Sequence, residues 1–271
     1  MGKLIKNSDQ CPNCGSHSGH KIYDTNEHCF SCGLHKSYEP KTFIVRERRT
    51  PQFIWNGGLP GDCIKDGIPL DYEKWIGLYF SSWDEVGDIY WSPSMWRLVF
   101  PIYHEGVLKC FQARSVDDQP KWITYSPEYK WGKRYPFIQQ KEKDAPFVLV
   151  EDIISALKVG LAYPNVIALL GCSINFPLCN FLSSLSDRFI IWLDGDAAGI
   201  KGTDKLIHTL TPVSKYLSTI RTTNDPKCYS KERVKELIDE KLHPLLLRKQ
   251  EIAHIFHKRI QESIDNKDNY R

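Results

Sequence analysis

Two sets of residues in this 271-residue chain have the types and spacing for metal chemistry. Asp194 and Asp196 flank Gly195 at the end of the apolar run Phe189-Ile190-Ile191-Trp192-Leu193, and Ala197-Ala198-Gly199 opens a helical pattern behind them. In an extended chain, residues i and i+2 face the same side, so two such carboxylates repel unless a proton or divalent cation lies between them. Mg2+ suits these hard oxygens and keeps waters that a phosphate can replace. A solvated Asp-Gly-Asp turn is the alternative reading of that stretch. The second set is Cys11-Pro12-Asn13-Cys14 and Cys29-Phe30-Ser31-Cys32, separated by 14 residues and each followed by glycine. Two such knuckles aim four thiolates at one point and close a tetrahedron around a structural Zn2+. Redox pairs fit less well, because they open a helix after a strand rather than sit in a short polar segment.

These residues need elements to carry them. A continuous apolar run reads as a buried parallel strand, and open α/β sheets place their chemistry at the carboxyl ends of such strands. From Pro146 onward strands and helices alternate: Phe147–Val150, a helix through Ala156 and Leu161, Val166–Leu170, a helix around Leu178–Leu185, the Asp194 strand, a helix Ala198–Leu210 and the strand Tyr216–Ile220. This βαβαβαβ layout predicts a mainly parallel α/β sheet. Its strand ends bear Glu151, Asp194 with Asp196, and Asp225, and carboxylates gathered along one edge need cations, which favours the metal reading over the solvated turn. No Gly-x-x-x-x-Gly-Lys-Ser/Thr loop is present, which excludes a P-loop ATPase.

Ahead of this sheet, residues 55–145 read as a mixed α+β region. Helical spacing runs from Pro69 to Phe80, strands are expected at Trp96–Tyr103 and Val107–Arg114 about a turn at His104-Glu105-Gly106, and a short strand at Trp122–Tyr125. Most of the many aromatic residues here are expected in the core. If the strands pair, Gln112, Arg114 and Lys121 share one face, a cationic wall suited to triphosphates; a solvent-facing strand is the alternative. Residues 37–54, with Arg46, Arg48 and Arg49, read as a linker, residues 1–36 as the zinc ribbon, 146–229 as the α/β domain and 230–271 as a helical C-terminal segment. In the ribbon, His17, His20, His28 and His35 are expected to be exposed polar residues, though His28, Tyr23, Phe30 and Lys21 could form a base-stacking face.

Composition sets outer bounds. A hydrophobic fraction of 41% suits a folded chain, no apolar run approaches the ~20 residues of a membrane span, and no signal-peptide core opens the sequence. A cytoplasmic location is expected, in the host cytoplasm if the chain is phage-encoded. The formal charge of +3 is too small to argue nucleic-acid binding without local sites. Of nine cysteines, Cys63, Cys110, Cys172, Cys179 and Cys228 are scattered and are expected to be small buried apolar residues.

The ordered set of ribbon, linker, mixed region and acidic sheet resembles the zinc-ribbon and Toprim DNA primases, in particular the primase half of phage primase-helicases. Asp194-Gly195-Asp196 looks like the Toprim Asp-x-Asp motif, Glu151 stands at the family's single glutamate, and Asn224-Asp225-Pro226-Lys227 is similar to its Asp-Pro motif. The stretches Leu98–Ile102, Phe111–Arg114 and Pro120–Trp122 are similar to the basic subdomain that precedes Toprim. One departure is Ser155, where the family motif usually has aspartate. The resemblance implies RNA primer synthesis on a single-stranded DNA template from ribonucleoside triphosphates. It implies one structural Zn2+, catalytic Mg2+ or Mn2+ on Asp194, Asp196 and Asp225, and Glu151 as ligand or proton acceptor. Gln112, Arg114 and Lys121 would hold triphosphate and template, and His28 and the ribbon would read the start sequence. With no helicase half in the sequence, a separate replicative helicase is expected as partner. A Toprim nuclease would use the same acids; a recombination mediator, acting by DNA binding alone, would need a helix-hairpin-helix segment before its zinc module, and ten residues precede Cys11.

Overall fold

The computed structural model describes residues 4–7, 10–16, 20–23, 26–29, 31–37, 57–117, 120–126 and 135–243. The basic linker with Arg46, Arg48 and Arg49, the ribbon residues His17 and Phe30, and the pattern beyond Pro244 lie outside them. The chain divides into two units, residues 1–49 and 50–271.

In the first unit β1 (Leu4–Asn7), β2 (His20–Tyr23), β3 (Asn26–Cys29) and β4 (His35–Ser37) form an antiparallel sheet in sequence order. Both Cys-x-x-Cys pairs make the same knuckle: the Gly15 N–H donates to the Cys11 carbonyl and the Gly33 N–H to the Cys29 carbonyl, each at 2.9 Å. Gly15 (φ 72°) and Gly33 (φ 75°) occupy the left-handed region these turns require. The pairs Lys21 with His28 and His28 with His35 put Lys21, Tyr23, His28 and His35 on one face. His20, Ile22, Glu27 and Cys29 share the other, and burial of His20 at 3% overturns its expected exposure; Glu27 lies 3.2 Å from its Nε2.

The second unit opens with α1 (Leu70–Gly77), followed by an antiparallel sheet β5 (Tyr90–Ser92), β6 (Arg97–His104), β7 (Val107–Arg114) and β8 (Trp122–Tyr125), again in chain order. The expected hairpin forms, its turn made by Glu105 (φ 51°) and Gly106 (φ 74°). Two positive-φ residues match the twist of the flanking strands. Leu98, Phe100 and Ile102 alternate onto the face shared with the next sheet, while Val99 packs the opposite face with Met95, Phe111 and Ala113. Aromatics build much of this core, Tyr72 lying 4.7 Å from Trp91 and Trp91 5.1 Å from Trp96 between ring centroids.

The larger sheet contains β9 (Phe137–Gln139), β10 (Phe147–Val150), β11 (Val166–Ala168), β12 (Arg188–Ile191) and β13 (Tyr216–Thr219) in the order β13-β12-β10-β11-β9. The crossover helices are α2 (Ile153–Gly160), α3 (Phe176–Leu185) and α4 (Ala197–Leu210), and a fifth helix, α5, covers 231–243. All pairs are parallel except β9 with β11. The short antiparallel edge strand β9 was not expected from periodicity, since three residues carry no pattern. A polar bond anchors it, the Gln139 amide donating to the Gly160 carbonyl at 3.1 Å, while the buried Asn165 pins the connection to β10 by donating to the Ala145 carbonyl at 2.8 Å. Along β10, Phe147 and Leu149 face α3 and α4, whereas Val148 and Val150 face α2, α5 and the β6–β7 hairpin. Both faces are therefore covered, which is why the strands read as continuous apolar runs.

The scattered cysteines divide. Cys110 and Cys179 are buried as expected, Cys63 and Cys172 only partly, and Cys228 is exposed because it ends a single 3-10 turn at the sheet rim.

Trp192 is fully buried, and its Nε1 donates to the Thr222 hydroxyl at 2.9 Å, which itself donates to the Asn224 carbonyl at 2.8 Å. This side chain ties the Asp194 strand to the loop carrying Asp225. Trp192→Ala is expected to cost about 3–5 kcal/mol of unfolding free energy, read as a lowered urea midpoint at unchanged slope.

Candidate metal centres

The order of the parallel strands reverses at β10, since β11 is added on one side of it and β12 and β13 on the other. Ligands of open α/β sheets bind at such a reversal, beyond the carboxyl ends of the strands. Here those ends deliver Glu151 and Asp152 after β10, Asp194 and Asp196 after β12, and Asp225 in the loop after β13. Two of the acids also cap the helices that follow: Asp152 accepts from the Ser155 N–H and Asp196 from the Gly199 N–H, each at 2.8 Å. Ser155, at the place of a family aspartate, is fully buried in α2 and supplies a backbone donor to that cap.

Glycines let the backbone close up around this edge. A Cβ at Gly195 would stand 2.4 Å from the Thr223 carbonyl oxygen, and one at Gly199 would stand 2.0 Å from that of Asp194. The Asp-x-Asp loop is thus pressed between the 222–223 backbone and the first turn of α4.

Lys227 lies among the acids, its Nζ 2.6 Å from Asp152 Oδ2, 2.8 Å from Asp225 Oδ2 and 3.5 Å from Asp194 Oδ2. Burial opposes its charge, but Asp152 and Asp194 more than offset this and hold its pKa far above the ordinary lysine range. Even so, Glu151 Oε2 and Asp194 Oδ1 are buried with no hydrogen-bond partner. Burial, assisted by Asp152, Asp225 and Glu151 against the pull of Lys227, pushes Asp194 up to about 7. Glu151 is raised by burial and by Asp196. Orphaned, destabilised carboxylate oxygens beside further acids fit a hard divalent cation.

Among the described residues, the four cysteines are the set whose donor atoms all lie within 4.8 Å of one another. Sulfurs are 3.8 Å apart in both the Cys11–Cys32 and Cys14–Cys29 pairs, and a tetrahedron with bonds of about 2.3 Å requires about that separation. The Asn13 N–H points at Cys11 Sγ, at 3.4 Å, and the Asn13 side-chain amide at Cys32 Sγ, at 3.5 Å. The latter contact helps to bring Cys32 down to about 6. The cluster fits zinc. The carboxylates form no comparably tight group among the described residues, and Lys227 stands among them.

Residues 149–229 match the family described as Toprim-like. This stretch is a Toprim-like domain. Two curated proteins named DNA primase are similar over part of the chain. That of Halalkalibacterium halodurans is 35% identical over 118 residues, covering 40% of this chain and 19% of its own length. That of Listeria innocua is 33% identical over 122 residues, with the same coverage of each. The chain therefore spans 19% of the length of the curated relatives it matches. Among solved structures, the zinc-binding and RNA polymerase domains of Aquifex aeolicus primase align at 18% identity and a TM-score of 0.49, over 88% of this chain and 80% of that one. The primase fragment of the bacteriophage T7 primase-helicase protein aligns at 18% identity and a TM-score of 0.45, over 89% of this chain and 98% of that one.

The basic residues expected beside the Toprim-like domain separate. Gln112 and Arg114 share a face of β7, but Gln112 is 5% exposed and donates to the Thr124 hydroxyl at 3.2 Å, so it braces the sheet instead of forming an open wall. Lys121 precedes β8 by one residue, exposed and out of step with the Arg114–Trp122 pair. Arg114 sits in the corner of two edge-on indoles, its guanidinium carbon 4.8 Å from the Trp75 ring centroid and 5.2 Å from that of Trp122. Burial lowers its pKa, while Tyr79 and Asp152 lie near enough to act against that. It therefore stands on the Toprim-like side of the β7–β8 hairpin. His28 is half-buried, 6.0 Å from His35 between ring centroids.

Sequence reasoning assigned no role to Lys227 or Asp152. The signal was a lysine directly after the Asp-Pro pair, and its meaning depends on loops joined only in the fold.

Two outcomes test this edge. In magnesium-free buffer the folded state binds a proton at Asp194 more tightly than the unfolded chain does, so ionising it costs stability. Its contribution makes stability fall as pH rises from about 4 to about 7, and Asp194→Asn flattens that part of a melting-temperature profile. Gly199→Ala forces apart α4 and the Asp194 backbone and is expected to cost about 1–3 kcal/mol or more while weakening Mg2+ binding, both read by thermal unfolding with and without the ion.

Proposed function

We propose that the chain is a DNA primase, joining ribonucleotides into short RNA primers on a single-stranded DNA template. The observation that supports this best is the acidic edge of the Toprim-like domain, with two buried carboxylate oxygens unpartnered, in a chain related in part to proteins named DNA primase.

Asp194, Asp196 and Asp225 would be the magnesium or manganese ligands, with Glu151 beside them. Cations bound there would activate a primer 3′-hydroxyl and neutralise charge on the α-phosphate and departing pyrophosphate. The new bond joins the 3′-oxygen to the α-phosphorus, and the bond broken is that to the bridging oxygen of pyrophosphate. Glu151 would serve either as a further ligand through its unpartnered oxygen or, with its raised pKa, as acceptor of the hydroxyl proton. Arg114, kept in place by its contacts with Trp75 and Trp122, would meet the triphosphate, and exposed Lys121 would meet the template backbone. Gln112 supports these residues through β8 and does not reach substrate.

Cys11, Cys14, Cys29 and Cys32 would hold one structural Zn2+. The face carrying Lys21, Tyr23, His28 and His35 offers stacking and hydrogen-bonding groups to unpaired template bases. A separate replicative helicase would be the partner at the replication fork. Among the described residues no helix is long and apolar enough to cross a membrane.

The test is incubation of the full chain with Mg2+, labelled ribonucleoside triphosphates and a pool of single-stranded DNA templates. Short template-dependent oligoribonucleotides are expected. They should fall by roughly a hundredfold or more in the Asp194→Asn, Asp196→Asn double variant, with template binding retained. Cys14→Ser should blur the choice of start sequence. Shortened templates without new oligomers would overturn the reading in favour of phosphodiester hydrolysis.

A further inference from the structure

We propose that Lys227 is a built-in cation occupying one of two cation positions at the acidic edge. The free protein then holds a single divalent ion, between Glu151 and Asp194, and any further ion arrives only with a triphosphate. This rests on the reading of the edge as a metal site given above.

The assignment follows from counting oxygens. Asp152 gives Oδ1 to the Ser155 N–H and Oδ2 to Lys227, so both of its atoms are engaged. Asp225 gives Oδ2 to Lys227, and Asp194 turns Oδ2 toward the same amine. Asp196 gives Oδ1 to the first turn of α4. Among the acids of this edge the buried oxygens left without partners are Glu151 Oε2 and Asp194 Oδ1, with Ser155 Oγ likewise unpartnered nearby, and the two carboxylate oxygens make one buried cation position.

The ammonium is also where a second ion would have to be. Its contacts of 2.6, 2.8 and 3.5 Å reach carboxylates from the loops after β10, β13 and β12, so it bridges three strand ends as a metal would. Its side chain is only 16% exposed, and Pro226, buried beside it, starts the single 3-10 turn that presents it. A lysine amine is a compact point charge with three donors, directed here at Asp152 and Asp225 with Asp194 at ion-pair distance. Because it is covalently attached, it competes with free cations at a high effective concentration.

The charge has a second effect. A fixed positive group close to Asp194 lowers the attraction of the remaining site for a divalent ion, so affinity in the free protein stays modest. A triphosphate carrying its own cation would then raise total occupancy.

The experiment is titration of the full zinc-loaded chain with Mn2+, counting bound ions from the electron paramagnetic resonance signal of free Mn2+. Wild type is expected to bind one Mn2+ and Lys227→Arg also one. Lys227→Met should bind two, or one at least about tenfold more tightly. Two equivalent ions in wild type, or a Lys227→Met titration identical to wild type, overturns the inference while leaving the metal site standing. No Mn2+ bound by any variant, or binding unaffected by Glu151→Gln with Asp194→Asn, overturns the metal site and the inference with it. Far-UV circular dichroism reports folding of each variant. Should Lys227→Met not fold, one ion each in wild type and Lys227→Arg upholds the proposal, and two in either overturns it.

Discussion

Mutual repulsion among carboxylates at the carboxyl ends of the parallel strands is the constraint around which the second unit is arranged. Glu151, Asp152, Asp194, Asp196 and Asp225 interact with one another or with a common lysine. Such a group does not persist in a folded chain unless positive charge and backbone donors answer it. The answer comes partly from the N-termini of α2 and α4, capped by Asp152 and Asp196, and partly from Lys227. What remains unanswered, at Glu151 and Asp194, is an opening suited to a divalent cation.

The rest of the unit keeps that opening in place. The apolar strands of the large sheet are buried on both faces, so the backbone that carries the acids has little freedom to relax away from the repulsion. Close approach at Gly195 and Gly199 fixes the Asp-x-Asp loop, and Trp192 fastens it to the loop bearing Asp225. The antiparallel sheet shares its core with the α2 face, which brings Arg114 and its two tryptophans to the same side as Asp152. Stability and function are in tension here, since packing that costs nothing elsewhere in the sheet holds like charges together at its edge.

The first unit meets the opposite problem. Its described residues form short strands with few buried apolar side chains, less core than folds a domain unaided. Four sulfurs at tetrahedral separation offer a metal site there, and in modules of this kind metal binding energy becomes folding energy. The alternation of His20, Ile22, Glu27 and Cys29 against Lys21, Tyr23, His28 and His35 then leaves one face polar and aromatic.

By itself the sequence determined the local elements and the identities of the acids and thiols. Apolar runs ending in acids, helical spacing behind them and paired Cys-x-x-Cys knuckles are short-range patterns, and the hairpin at 104–106, the β8 strand and the parallel strands stand close to where those patterns put them. Tertiary structure alone decided what depends on distant segments meeting. Strand β9 is held by Gln139 bonding to the α2–β11 connection, which no periodicity records. Gln112 became a buried brace and His20 a buried partner of Glu27 because the register of neighbouring strands chose their faces. Lys227 acquired three carboxylate neighbours from three separate loops. Electrostatic interaction depends on distance through space, and a linear sequence specifies only distance along the chain.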